Sequence, residues 1–128
     1  MVDEEKTGSG LKLSEAIRRG ARLRPQARGD FFMFVWDDHS DVCELGSCAL
    51  GAAFEAAYPG EDVEEIERAW GLADLSEELF EAFPVLREEQ PALPGAKPLS
   101  LFQKVSRLND KDGWTREHIA DWLERQGH

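Results

Sequence analysis

Hydrophobic positions along this chain recur mostly at the three-and-four spacing of amphipathic helices, and one stretch departs from that rule by having no polar side. Between Cys48 and Tyr58 every residue except Glu55 is apolar or Gly. A helix without a wet face is enclosed on several sides rather than along one stripe, and Ala and Gly let neighbouring backbones approach closely. The pattern therefore predicts a central helix over residues 47–58, with Ser47 as its N-cap and Pro59-Gly60 as its stop. Glu55, its single acid, must find a basic or polar partner or the surface, because an unpaired buried carboxylate is costly.

Around this hub the same spacing predicts further helices. Leu13, Ala16, Ile17 and Ala21 stripe a first one, capped by Ser14 and halted before Pro25. Phe31 to Trp36 is too short for a helix and rich in aromatic and β-branched residues, so it reads as a buried strand. Asp37-Asp38-His39-Ser40 then turns the chain, and residues 41–45 return as a short second strand. Val63, Ile66, Ala69 and Trp70 stripe a third helix, capped by Asp62 and closed by Gly71. Leu75, Leu79, Phe80 and Phe83 stripe a fourth, capped by Ser76 or Asp74 and ended by Pro84.

Residues 84–98 hold Pro84, Pro91, Pro94 and Pro98 as well as Gly95, which marks one long irregular connection of the kind that crosses a domain or carries function. Leu101, Phe102, Val105 and Leu108 stripe a fifth helix. Thr115 caps a sixth, with Ile119, Trp122 and Leu123 facing inward and Trp114 and Ile119 placed as a hydrophobic staple. The expected fold is mainly α (α+β), about six helices around a central apolar helix with one short β-hairpin. Residues 1–10 read as a disordered lead-in and residues 11–128 as a single globular domain. Ile17, Trp70, Phe80, Phe83, Phe102 and Trp122 are the expected packing partners of the central helix.

Length and composition leave this picture intact. A chain of 128 residues can bury a sizeable core without a staple. No apolar run approaches the roughly 18 residues needed to span a bilayer, and the first residues lack the marks of a signal peptide. The expectation is a cytoplasmic protein without membrane contact. Its two cysteines, Cys43 and Cys48, are expected to be reduced.

Charge changes the picture more. The net charge of −11 is uneven: residues 61–95 hold two Arg against eleven acids, a balance of −9, whereas residues 96–128 come to +1 and residues 1–30 to +2. Such a field opposes direct binding to a phosphate backbone and favours a basic protein, or the nucleic-acid site of another protein, as partner. The candidate interaction face is the outer side of helices three and four, Glu64, Glu65, Glu67, Glu77, Glu78 and Glu81. A sharper version is a phage-style inhibitor that mimics nucleic-acid charge. Arg18, Arg19 and Arg22 on the first helix, with Arg24 and Arg28 beyond, read as a solvated face that complements acids of the same chain more readily than as an anion patch.

Candidate chemistry is sparse. Asp110-Lys-Asp112-Gly113 fails the EF-hand register, since placing Gly113 at the sharp turn puts Leu108 and Ile119 where carboxylates are needed. A left-handed helix end at Gly113 explains it more simply. The segment Trp114 to Leu123 has the look of the positioning helix of a helix-turn-helix, yet no recognition helix follows. His39, Cys43 and Cys48, with Asp41, His118 or His128 as a fourth ligand, give a weak zinc pattern. Cys48 at the start of the central helix is a candidate thiol, because the helix dipole favours a thiolate there. No serine-triad, phosphate-loop or dinucleotide fingerprint is present, so no catalytic residue, cofactor or resident metal is assigned.

Three segments together, Leu13-Ser-Glu-Ala-Ile17 with Leu23-Arg-Pro-Gln26, Ser47-Cys-Ala-Leu-Gly-Ala-Ala53, and Leu108-Asn-Asp110 with Trp114-Thr-Arg-Glu-His-Ile-Ala-Asp-Trp122, resemble a group of small uncharacterised bacterial and phage proteins. The resemblance implies a shared fold and no particular reaction. Some members of that group carry an additional close cysteine pair in the middle of the chain. The Pro-rich connection here has none, which counts against a family-wide metal site.

Overall fold

Helix α2, Ala49–Ala57, is the apolar segment of the sequence, and Ala49, Leu50, Ala52 and Ala53 along it are fully enclosed. The computed structural model describes residues 11–29, 31–37, 42–69, 72–91 and 94–128. Within them the chain runs α1 (Leu13–Ala21), β1 (Phe32–Asp37), β2 (Val42–Ser47), α2, α3 (Val63–Ala69), α4 (Leu72–Ala82), α5 (Leu101–Asp110) and α6 (Arg116–Arg125). The fold is mainly α, six helices with one antiparallel hairpin. The expected lead-in, residues 1–10, lies outside the described residues.

The cap of α2 sits one residue later than expected. Ser47 does not serve, because its carbonyl accepts from Ala27 N–H at 2.9 Å and the first helical bond goes instead from the Ala52 amide to the Cys48 carbonyl at 2.8 Å; the Ser47 N–H donates to the Pro25 carbonyl at 2.9 Å. Cys48 takes the N-cap instead, its Sγ accepting from the Gly51 amide at 3.4 Å. The small residues of α2 do what their size allows. A Cβ added at Gly51 would stand 2.3 Å from the Phe31 carbonyl oxygen, and one at Gly20 of α1 would stand 1.9 Å from that of Ala52. Both glycines mark backbone-to-backbone contact.

Helix α1 packs along α2 on one side and along α6 on the other. It begins at Leu13 with Lys12 at the N-cap, rather than with a cap at Ser14. Ser14 is buried inside the first turn, where its amide donates to the His128 carbonyl at 3.1 Å. The Lys12 amide is answered by Glu15 Oε1 at 3.2 Å.

The hairpin pairs Phe32 with Ser47 at one end and Asp37 with Val42 at the other, so β2 runs further than the expected 41–45 and leads directly into α2. Gln26 adds a single parallel bridge on the far side of Ser47. Phe32 and Leu45 enter the core, but β1 is not a wholly buried strand: Met33 is exposed and Phe34 is 51% accessible. Residues 38–41 of the expected turn lie outside the described residues.

Asp62 caps α3 as its sequence predicts, Oδ1 accepting from the amides of Glu64 and Glu65 at 3.2 Å each. Val63 and Ile66 are buried beneath it. Trp70 and Gly71 lie outside the described residues. Helix α4 starts ahead of both expected caps, Asp74 and Ser76, because Leu72 and Ala73 are strong helix formers that extend it upstream. Leu75, Leu79 and Phe83 anchor it to the core.

The Pro-rich connection is more ordered than its composition suggested. Pro84–Arg87 forms a 3-10 turn. An antiparallel bridge between Glu89 and Ser100 then closes the rest into a loop, with Gln90 N–H on the Leu99 carbonyl at 2.7 Å and Leu101 N–H on the Glu88 carbonyl at 2.8 Å. Ser100 and Gln103 cap α5 reciprocally, Ser100 Oγ accepting from the Gln103 amide and Gln103 Oε1 from the Ser100 amide.

Gly113 adopts φ +73°, the left-handed turn predicted for it. Thr115 Oγ1 caps α6 by accepting from the His118 amide at 3.1 Å. Trp114, packed against the core that contains Ile119, also stacks on His118 with ring centres 4.0 Å apart and meets Trp122 edge-on. The core joins Ile17 and Phe83 to α2, with Phe80, Phe102 and Trp122 half-buried against it. Among the described residues no helix is long and apolar enough to cross a membrane.

Candidate functional site

Helices α3 and α4 turn a row of carboxylates to solvent. Glu64 and Glu65 on α3 and Glu77 and Glu81 on α4 are exposed, while Glu78 is half-buried. The side chain of Glu67 lies outside the described residues. Beneath the α4 acids sits Tyr58, whose hydroxyl donates to the Glu78 carbonyl at 3.2 Å. Partial burial, reinforced by the negative fields of Glu78 and Glu81, pushes the phenol up to about 12.

Several described arginines are engaged away from this face, although Arg24 also feels the field of Glu64, and the side chain of Arg68 on α3 lies outside the described residues. Arg18 on α1 reaches α6, with Nη2 2.6 Å from Asp121 and 2.7 Å from Glu124, and Glu117 close by at 3.5 Å. Those bonds raise its pKa. Arg24 grips Glu55, the lone acid of α2, which supplies the partner that the sequence required. Arg28 donates to the carbonyls of Asn109 at 3.0 Å and Gly113 at 3.2 Å. Arg87 lies over the Phe80 ring at 4.3 Å. Of these arginines Arg18 and Arg24 complement acids of their own chain, Arg18 those of α6 rather than the acidic middle and Arg24 the acid of α2, while Arg28 binds backbone carbonyls.

A polar junction at the N-terminal end of α2 escaped the sequence reading. Asn109, 1% exposed, accepts through Oδ1 from Gln26 Nε2 at 2.8 Å and from the Ala49 amide at 3.1 Å, and donates through Nδ2 to the Ala27 carbonyl at 2.9 Å. Arg116 enters from α6, donating to Ser47 Oγ at 3.0 Å and to the carbonyls of Ser47, Ala21 and Arg24. Burial lowers the pKa of Arg116, and the field of Cys48 opposes that fall. No buried side-chain polar atom among the described residues is left without a partner. The segments that carried the resemblance, Leu23 to Gln26, Ser47-Cys48, Leu108 to Asp110 and Trp114 to Arg116, converge here.

This junction fixes backbone. Cys48 lies within it, 6% exposed, with Sγ occupied as a helix cap. His39, Asp41 and the side chain of Cys43 fall outside the described residues. Among the described residues no group of three His, Cys, Asp or Glu side chains is placed to hold a metal. His118 is engaged in stacking on Trp114.

A second charged surface lies between α5 and the Pro-rich loop. Two adjoining depressions of about 390 and 440 Å³ open there, and both are lined by Leu99 and Arg107. Lys97 and Lys104 border one, and Lys111 borders the other. No family model matches this chain, and neither a curated protein nor a solved structure matches it.

Proposed function

We propose that the chain is a non-catalytic interaction module that binds a basic partner through the exposed carboxylates of α3 and α4. The observation that carries this reading is the disposition of its arginines. Arg18, Arg24, Arg28, Arg87 and Arg116 are held within the fold, and Glu64, Glu77 and Glu81 form no ion pair among the described residues. Their field extends into solvent and steers a cationic surface toward it. The charge-mimicking version of the same reading places this face in the nucleic-acid channel of its partner.

The test is affinity capture with the native chain and with a variant carrying Glu64→Gln, Glu65→Gln, Glu77→Gln and Glu81→Gln, each shown by circular dichroism to be folded. Loss of the captured partner in the variant, and its release as salt rises, is the expected result. A partner retained equally by the variant overturns the reading. Competition by DNA for that partner distinguishes the channel-occupying version from a simple basic docking surface.

A further inference from the structure

We propose that the groove between α5 and the loop 94–99 is a binding site for a compact, multiply charged phosphate ester with an apolar or aromatic body, the nucleoside polyphosphates being the representative class. Four cations converge on a chain whose overall charge is −11. Lys104, Arg107 and Lys111 stand at i, i+3 and i+7 of α5 and its end, which puts them on one face. Lys97 approaches from the loop opposite. Unlike Arg18, Arg24, Arg28, Arg87 and Arg116, none of these four has a side-chain hydrogen bond, ion pair or ring contact among the described residues. Lys12, Arg19, Arg22 and Arg125 are likewise without an ion pair among the described residues, but Lys97, Lys104, Arg107 and Lys111 are the ones that line these two depressions.

The groove also has an apolar wall and a fixed shape. Leu99 and the half-buried Phe102 line it, and Phe102 is itself held edge-on by Phe31 and against Phe80. The Glu89–Ser100 bridge pins both ends of the loop that carries Lys97. Depressions of this size accommodate small ligands.

Ligand size follows from what flanks the groove. Glu88 and Glu89 are exposed at the base of the loop, Asp112 stands beyond the end of α5, and Asp110 itself lines the depression beside Lys111, its Oδ1 accepting from the Gly29 amide and Asn109 Nδ2. An extended polyanion would run onto these acids and into the general negative field. A short ligand, two or three phosphates with a body against Leu99 and Phe102, keeps its charge over the four cations. This site is separate from the acidic face of α3 and α4, and each stands or falls alone.

The experiment is a titration of the isotope-labelled chain with ADP, followed by amide chemical shifts, with inorganic pyrophosphate and adenosine as separate probes. ADP is expected to shift amides of α5 and residues 95–100 at submillimolar concentration, and pyrophosphate and adenosine are each expected to bind more weakly. Lys104→Gln with Arg107→Gln, two surface changes, should weaken ADP binding by about tenfold or more. Absence of shifts at millimolar ADP, or shifts undiminished in the double variant, overturns the site. Equal binding of pyrophosphate and ADP overturns the assigned apolar body.

Discussion

Arg24 holds Glu55 by a fork: Nε lies 2.8 Å from Oε1 and Nη2 lies 2.7 Å from Oε2. The carboxylate is 11% exposed and the guanidinium side chain 25%, so the pair is only partly open to solvent. Loss of one partner leaves the other charge stranded, whereas loss of both does not. Arg24→Ala is expected to lower stability by about 2 to 4 kcal/mol, and Arg24→Leu with Glu55→Leu to recover most of that. Denaturant titration of the single and double variants measures the difference.

Gly20→Ala sets helix propensity against packing. Ala gains about 1 kcal/mol in a helix interior over Gly. Its Cβ, however, would stand 1.9 Å from the Ala52 carbonyl oxygen, a backbone atom that no rotamer change can move away. Overpacking wins, and a net loss of about 3 kcal/mol or more is expected. Thermal unfolding of Gly20→Ala beside Gly29→Ala, where nothing lies within 4 Å of the added carbon, separates crowding from backbone strain, because Gly29 has φ +105°.

Asn109 joins three backbone segments, and its replacement is expected to loosen all of them. Asn109→Ala removes the acceptor for the Ala49 amide and the donor to the Ala27 carbonyl, at about 1 to 3 kcal/mol for each group left buried and unpaired. Hydrogen exchange should show the first turn of α2 and residues 25–28 losing protection together. Asn109→Asp keeps the acceptor but loses the donor, and it sets a carboxylate beside Asp110 Oδ1, which now accepts from Asn109 Nδ2 at 2.7 Å. That variant should regain stability as acid protonates the new group.

Tyr58 is the only tyrosine, so the phenolate absorbance of the whole chain reports it alone. Its titration is expected near 12 rather than 10. A phenol whose folded pKa is raised contributes stability that is fully present below pH 10 and is lost as pH rises toward 12. Glu81→Gln, which removes one of the fields acting on Tyr58, should move the absorbance midpoint downward, and an unchanged midpoint would leave burial and Glu78 as the causes.

Cys48 tests whether the thiol is needed. Sulfur is a weak acceptor, and serine is a preferred N-cap. Cys48→Ser is expected to leave stability within about 0.5 kcal/mol of the native value. With Cys43→Ser as background, Cys48 should react with a thiol reagent only as fast as the chain opens, because it is buried. Rapid reaction in the native state would return it to the list of chemical groups.

The helices were legible in the sequence because each carries an apolar stripe at helical spacing, and Asp62 and Thr115 announced their starts. The caps at Ser47 and Ser14 were misplaced for one reason: both residues are held by distant backbone, the segment Pro25–Ala27 and the carbonyl of His128, and no local pattern encodes such a partner. Asn109 and Arg116 were hidden differently. Each lies in a segment that looks like a polar turn or an exposed helix start, and only the tertiary approach of residues 24–28 makes them interior. On the candidate face, Glu64, Glu65, Glu77 and Glu81 stand where the helical period put them. The groove on α5 was missed because its cations are diluted by the total of −11, and their convergence depends on how the loop folds back.

The bonds of Arg18, Gln26, Arg28 and Arg116 all join residues 18–47 to residues 109–124, on opposite sides of the Pro-rich loop in sequence. The loop is therefore a covalent tether between two parts that already recognise each other. A chain cut between Pro94 and Lys97 should stay assembled as a nicked protein, and the two fragments, mixed from denaturant, should reconstitute it. That makes the loop a natural seam for splitting this fold into complementing halves.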